Sequence, residues 1–150
     1  METFAAGIVP YITIKNKKYF LVGLEKSNNY WSGFVGNSEK NETIEETALR
    51  EFNEETACIF EEDLEDIKKL LLNSTPVMDI SGTGKNVYIY FLEFPVESQE
   101  KIKYFINSKA SIEDPCYHEK SILRWFSWDE IIKPNRVFAP LRKLILFRFC

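Results

Sequence analysis

Between Gly36 and Asp66 the chain carries twelve acidic residues and two basic ones, and part of this charge falls on a segment with helical spacing. From Thr43 to Thr56 the apolar positions Ala48, Leu49 and Phe52 recur three and four apart, the period of an amphipathic helix. Thr43 and Glu46 form a capping box at its start. At about 100° per residue Glu51, Glu54 and Glu55 share one arc, which borders the arc of Ala48 and Phe52. These carboxylates therefore belong at the edge of the buried face. Like charges at such spacings each cost about 0.2–0.5 kcal/mol, and no lysine between residues 41 and 67 offsets them. Either the helix turns a solvated acidic face to water, or the acids gather cations. Hard divalent ions suit the second reading, Mg²⁺ above all, because it binds a few carboxylates, keeps its waters and takes substrate phosphates. The whole chain has a formal charge of −4, so a local charge of −10 leaves +6 elsewhere, an asymmetry that suits an anionic substrate.

Strand and helix signals alternate irregularly along the remainder. The runs Phe4 to Ile14 and Lys17 to Glu25, rich in Ile, Val, Tyr and Phe, predict a hairpin. A second helix is expected from Glu62 to Leu72, with acids first and Lys68-Lys69 later. Strands are expected at Val77 to Ile80 and Val87 to Phe94, joined by the Gly-containing loop Ser81 to Lys85. That loop is not a phosphate-binding P-loop: Asp79 stands where the motif's first glycine belongs, and Asn86 follows Lys85 in place of Ser or Thr. A helix from Glu97 to Ser108, a strand from Ile122 to Phe126, a short helix opened by the capping box Ser127/Glu130 and a last helix from Phe138 to Phe149 complete the pattern. The order predicts a single α/β domain, a mixed sheet between helices. With 150 residues such a domain buries a core without disulfides.

Composition removes several chemistries. His118 is the only histidine, so a His-rich zinc site or a paired-His phosphotransfer centre is excluded. Cys58, Cys116 and Cys150 form no CxxC pair and suit a reduced compartment. The apolar stretch Phe4 to Ile14 is broken by Gly7 and Pro10 and follows no basic segment, so neither a signal peptide nor a membrane span is expected, and the cytoplasm is the expected location.

The segment Gly36-Asn-Ser-Glu-Lys-Asn-Glu42-Thr-Ile-Glu-Glu-Thr-Ala-Leu-Arg50-Glu51-Phe52-Asn-Glu54-Glu55-Thr-Ala57-Cys58 resembles the Nudix box. Gly36, Glu42, Arg50, Glu51, Phe52, Glu54 and Glu55 fit the pattern, and Cys58 serves as its final apolar residue. Ala57 replaces the last glycine, and Trp31-Ser32-Gly33-Phe34-Val35-Gly36 departs from the family's Pro-Gly-Gly lead-in. His118-Glu119 through Trp125-Phe126-Ser127-Trp128-Asp129-Glu130 also looks like the family's C-terminal half.

The resemblance implies the Nudix α/β/α sandwich and a Mg²⁺- or Mn²⁺-dependent pyrophosphohydrolase. It implies Glu51, Glu54 and Glu55 as metal ligands, Glu54 among the catalytic groups, and Arg50 with Glu42 as the pair holding loop and helix in register. A late-loop Glu commonly ligates metal or acts as base in this family, and Glu119 is the candidate, with Glu113 and Asp114 in reserve. Gly36 and Trp31 are candidate substrate contacts, although Trp31 could equally anchor the core. His118 is either a phosphate contact or an ordinary loop histidine. Lys133, Arg136, Arg142, Lys143 and Arg148 follow Glu130 without an acid between them, as a strip for RNA backbone or as the wet face of a helix. The expected substrate is a nucleoside diphosphate linked to another moiety. Capped RNA, diphosphoinositol polyphosphates and a non-catalytic nucleotide-binding module are the alternatives.

Overall fold

The computed structural model describes residues 3–150, apart from the Arg136 side chain. Strand β1 (Phe4–Ile14) is its organising element. Successive side chains of a strand point to opposite faces, and here both faces are covered: Ile8 and Ile12 enter one apolar core, Val9 the other. Strand β2 (Lys17–Glu25) returns antiparallel through the two-residue turn Lys15-Asn16, whose φ values of 51° and 65° are those of a type I′ hairpin. The expected hairpin is present.

Two short strands follow, β3 (Trp31–Ser32) and β4 (Phe34–Asn37). Strand β4 pairs with the first half of β1, from Ala5↔Asn37 to Ile8↔Phe34, and β2 pairs with the second half from Tyr11 onward. Pro10, which has no N–H to donate, falls between those two registers. Strand β6 (Asn86–Glu93) runs parallel to β1, and β5 (Val77–Ile80) lies antiparallel outside β6. Strand β7 (Lys120–Ser127) pairs antiparallel with β2, with a register shift between Gly23 and Glu25. Seven strands thus form one mixed sheet.

Helices α1 (Ile44–Glu55), α2 (Leu64–Leu72) and α3 (Phe105–Ala110) contribute to the core on one face. Helices α4 (Trp128–Ile132) and α5 (Ala139–Phe149) contribute to the core on the other. The result is the expected α/β/α sandwich. In the α1 capping box Thr43 Oγ1 accepts from Glu46 N at 3.1 Å, and Glu46 Oε1 accepts from Thr43 N at 2.9 Å. The Ser127/Glu130 box opens α4 in the same way. Helix α1 ends in a Schellman motif: Cys58 N donates to Asn53 O at 2.9 Å and Ala57 N to Glu54 O at 3.0 Å. Ala57 takes the left-handed position, φ 52°, where glycine is usual.

Two boundaries differ from expectation, and two strands were not expected. Val96–Tyr104 is 3₁₀-helical, and α-helix begins only at Phe105. None of those nine residues is fully buried, and Ile102 alone packs against the core, too little apolar stripe to hold a regular helix on the sheet there. The second helix opens with a 3₁₀ turn, Glu61–Asp63, before α2. The strands β3 and β4 are too short to show a period in sequence. Among the described residues, no helix is long and apolar enough to cross a membrane.

Candidate active site

Phe52 fastens α1 to the sheet, with ring centroids 5.4 Å from Phe34, 5.2 Å from Phe60 and 5.9 Å from Phe94. With Phe52 facing inward, its helical neighbours Glu51 and Glu55 are drawn down as well, to 8% and 1% exposure. Glu119, reached through the 3₁₀ turn Pro115–His118 just before β7, meets them from the far end of the chain. Glu51, Glu55 and Glu119 each present a carboxylate oxygen, all within 4.8 Å of one another.

Two of these carboxyls are held in the protonated direction by their surroundings. Burial pushes the Glu55 carboxyl well above the usual range, with Lys120 opposing and Glu51 adding to the shift. Burial, Glu51 and Glu25 push Glu119 up, against Lys120. Glu55 Oε2 is buried with no hydrogen-bond partner. An orphaned buried oxygen among all-oxygen donors fits a hard divalent cation such as Mg²⁺ or Mn²⁺.

Arg50 ties this group to the preceding loop. Its Nε lies 2.7 Å from Glu42 Oε2 and its Nη2 3.0 Å from Glu42 Oε1, a bidentate pair. The same guanidinium donates to Asn37 O at 2.8 Å and to Glu51 Oε1 at 2.9 Å. Glu42 also accepts from Glu39 N and Thr47 Oγ1, at 2.7 and 2.8 Å. Glu54 lies outside the three-carboxylate group and faces Arg50 Nη1 at 3.3 Å. Burial and Glu51 raise its carboxyl, against Arg50.

Gly36 has a different part from a surface for substrate alone: a Cβ there would collide with the Glu51 carboxylate, so the missing side chain makes room for that acid. A cleft of about 530 Å³ opens beside it, lined by Gly36, Asn37, Arg50, Glu51, Glu54 and Glu119. Trp31 is not brought to this cleft; its ring packs edge-on against Phe126, 4.7 Å away, in the core on the α5 face. His118 Nε2 hydrogen-bonds to Ile112 O at 2.5 Å and so pins its own loop. Asp114 caps the 3₁₀ turn by accepting from Cys116 N, and neither it nor Glu113 joins the acidic group. Three residues of the basic strip are engaged locally: Arg142 donates to Ile132 O at 2.6 Å, Lys143 lies 3.5 Å from Asp79, and Arg148 covers the Phe149 ring. The Arg136 side chain lies outside the described residues.

Sequence reasoning missed Lys120, which is wholly buried behind Glu55. A lysine beside an acidic loop reads as solvated, and only the fold brings Glu25 and Ser32 to it.

A family profile described as the NUDIX domain matches residues 3–146. The chain belongs to the Nudix family. Solved structures with this fold include the Caenorhabditis elegans Ap4A hydrolase in a binary complex, at 19% identity and TM-score 0.63, covering 96% of this chain and 94% of that one. The Nudix domain of Shewanella oneidensis NrtR, complexed with ADP ribose, is 13% identical with TM-score 0.58, over 100% of this chain and 90% of that one. The Trypanosoma brucei MERS1–RNA complex is 12% identical with TM-score 0.56, over 95% and 56%. No curated protein sequence matches the chain. At these identities the structural neighbours show the Nudix fold.

Proposed function

We propose that this Nudix chain is a Mg²⁺- or Mn²⁺-dependent pyrophosphohydrolase that cleaves a nucleoside diphosphate linked to another moiety. The observation that carries the proposal is the Glu51–Glu55–Glu119 group, with its orphaned Glu55 oxygen, at a cleft of about 530 Å³. Glu51 and Glu55 would hold the metal, and Glu54 can join from the cleft wall because its bonds to Arg50 are long, 3.3 Å each. A metal bound there supplies charge neutralisation for a diphosphate and a lowered pKa for a coordinated water. The protein's own steps are then positioning and proton transfer. Arg50, locked by Glu42 and Asn37, keeps Glu51 and Glu54 aimed into the cleft. Glu119 accepts the proton of the attacking water, its carboxyl raised toward the working pH by burial and its acidic neighbours. Nucleotide derivatives as substrate class draw support from Nudix neighbours solved as an Ap4A hydrolase and with ADP ribose.

The test is a product assay over nucleotide sugars, ADP-ribose, dinucleoside polyphosphates, nucleoside triphosphates, diphosphoinositol polyphosphates and capped RNA, with Mg²⁺ or EDTA. Cleavage of a nucleotide derivative that EDTA and Glu54→Gln both abolish is the expected result. Glu119→Gln is expected to lower kcat by about 10²–10⁴-fold while Glu113→Gln leaves it unchanged; the reverse pattern would move the base to Glu113. Cleavage of capped RNA or a diphosphoinositol alone would replace the substrate class. Mg²⁺ binding with every substrate intact would make the chain a nucleotide-binding module.

A further inference from the structure

Lys120 is a buried cation standing directly behind the acidic group. Its side chain is 0% exposed. Its ammonium donates to Glu25 Oε1 at 2.5 Å and to Ser32 Oγ at 2.6 Å, lies 3.6 Å from Glu55 Oε1 and sits over the Phe34 ring at 5.7 Å. Five elements, β2, β3, β4, β7 and α1, therefore converge on one nitrogen. The sequence makes room for it: a Cβ at Gly23 would lie 2.6 Å from Lys120 Cδ and 2.9 Å from Cγ, so the absent side chain houses the lysine stem. Burying an ammonium is unfavourable unless acids face it, and here two do. Glu55 is consequently two-sided, one oxygen toward Lys120 and the other buried without a partner.

We infer that Lys120 is a resident cation of the metal centre, neutralising the inner side of Glu55 and thereby limiting how much divalent charge the Glu51–Glu55–Glu119 group takes up. The inference rests on the reading of that group as a metal site. A fixed positive charge 3.6 Å from a carboxylate oxygen of the group would repel a divalent ion held there, most strongly where water is excluded. Glu25 tempers the repulsion by sharing the ammonium with Glu55. A purely architectural lysine, bridging β2, β3 and β7, makes a different forecast: any loss around it would loosen the carboxylates and weaken metal binding. The sign of the effect separates the two.

The experiment is a Mn²⁺ titration of the full chain without substrate, followed by the electron paramagnetic resonance of free Mn²⁺, with the Mn²⁺-induced rise in Tm as a second readout. Lys120→Met keeps apolar bulk beside Gly23 and removes the charge. It is expected to bind Mn²⁺ about tenfold tighter than wild type, or to take up a further ion, and to show the larger rise in Tm. Glu25→Gln, which leaves Lys120 unopposed on that side, is expected to weaken binding by about tenfold. Ser32→Ala removes a neutral partner and is expected to change affinity by less than about twofold. Equal or weaker Mn²⁺ binding in Lys120→Met would overturn the inference while leaving the metal site standing. No Mn²⁺ binding in any of the four proteins would overturn both. If Lys120→Met is insoluble, Lys120→Gln, which removes the charge but keeps a donor for Glu25 and Ser32, decides: tighter Mn²⁺ binding supports the resident cation, and equal or weaker binding rejects it.

Discussion

The space a Cβ would need at Gly36 is already taken by the carboxylate of Glu51. Strand β4 and helix α1 approach so closely that the strand can pass only without a side chain at Gly36, and the acid fills what is left. This constraint is one of volume, and it does not depend on the glycine adopting an unusual φ.

Gly36→Ala should therefore push Glu51 out of the acidic group. A displacement of about 1 Å at such a site costs on the order of 10²-fold in turnover, and Mn²⁺ affinity should fall with it. Steady-state kinetics and a metal titration on the folded variant check this; unchanged values for both would show that strand β4 shifts and Glu51 does not.

Acid should weaken the fold through Glu42. The Arg50 guanidinium, with help from Glu39 N and Thr47, holds its carboxyl at about 2 against the usual 4.5. Because the folded value is the lower one, the stabilisation is complete above pH 4.5 and is lost as pH falls from there toward 2. Urea midpoints measured across that window should decline more steeply for wild type than for Glu42→Gln, which is less stable at pH 7 but has nothing left to titrate at this position. Parallel curves would show that other acids govern the decline.

At Ala57 two effects nearly balance. The left-handed conformation costs an L-residue about 1–2 kcal/mol, while the buried methyl contributes about 0.8 kcal/mol. Ala57→Gly is expected to stabilise the fold by no more than about 1 kcal/mol, whereas Ala57→Val, branched at Cβ where φ is 52° and exposure is 0%, should lose about 2 kcal/mol or more. Equilibrium denaturation distinguishes them; a valine variant as stable as wild type would mean that the Schellman turn rearranges freely.

Helix α1 was legible before any coordinates because its signals agree: capping box, apolar spacing and acids at the edge of the buried arc all point the same way. The first hairpin was legible for the same reason. What the sequence concealed depends on distance along the chain. The helical wheel places Glu51, Glu54 and Glu55 together, yet the third oxygen of the compact group comes from Glu119, and Glu54 turns to Arg50. A wheel describes one helix and carries nothing about an approaching loop. Lys120 was hidden because its two acids, Glu25 and Glu55, lie on other elements. Trp31 shows the opposite limit: an aromatic next to a phosphate-chemistry motif invites a stacking role, but the strand's alternation sends Ser32 toward Lys120 and the indole toward Phe126 on the other face.

Strand β1 has consequences beyond architecture. It takes β2 and β4 on one edge, both encoded within the next few dozen residues, but its other edge waits for β6, which follows some 80 residues later. While the ribosome is still making that stretch, the nascent hairpin carries an open row of unpaired amides and carbonyls flanked by Ile8, Val9 and Ile12, an invitation to foreign strands or to chaperones. Closing so long a loop is slow, and Glu119, which completes the group of Glu51 and Glu55, is synthesised later still.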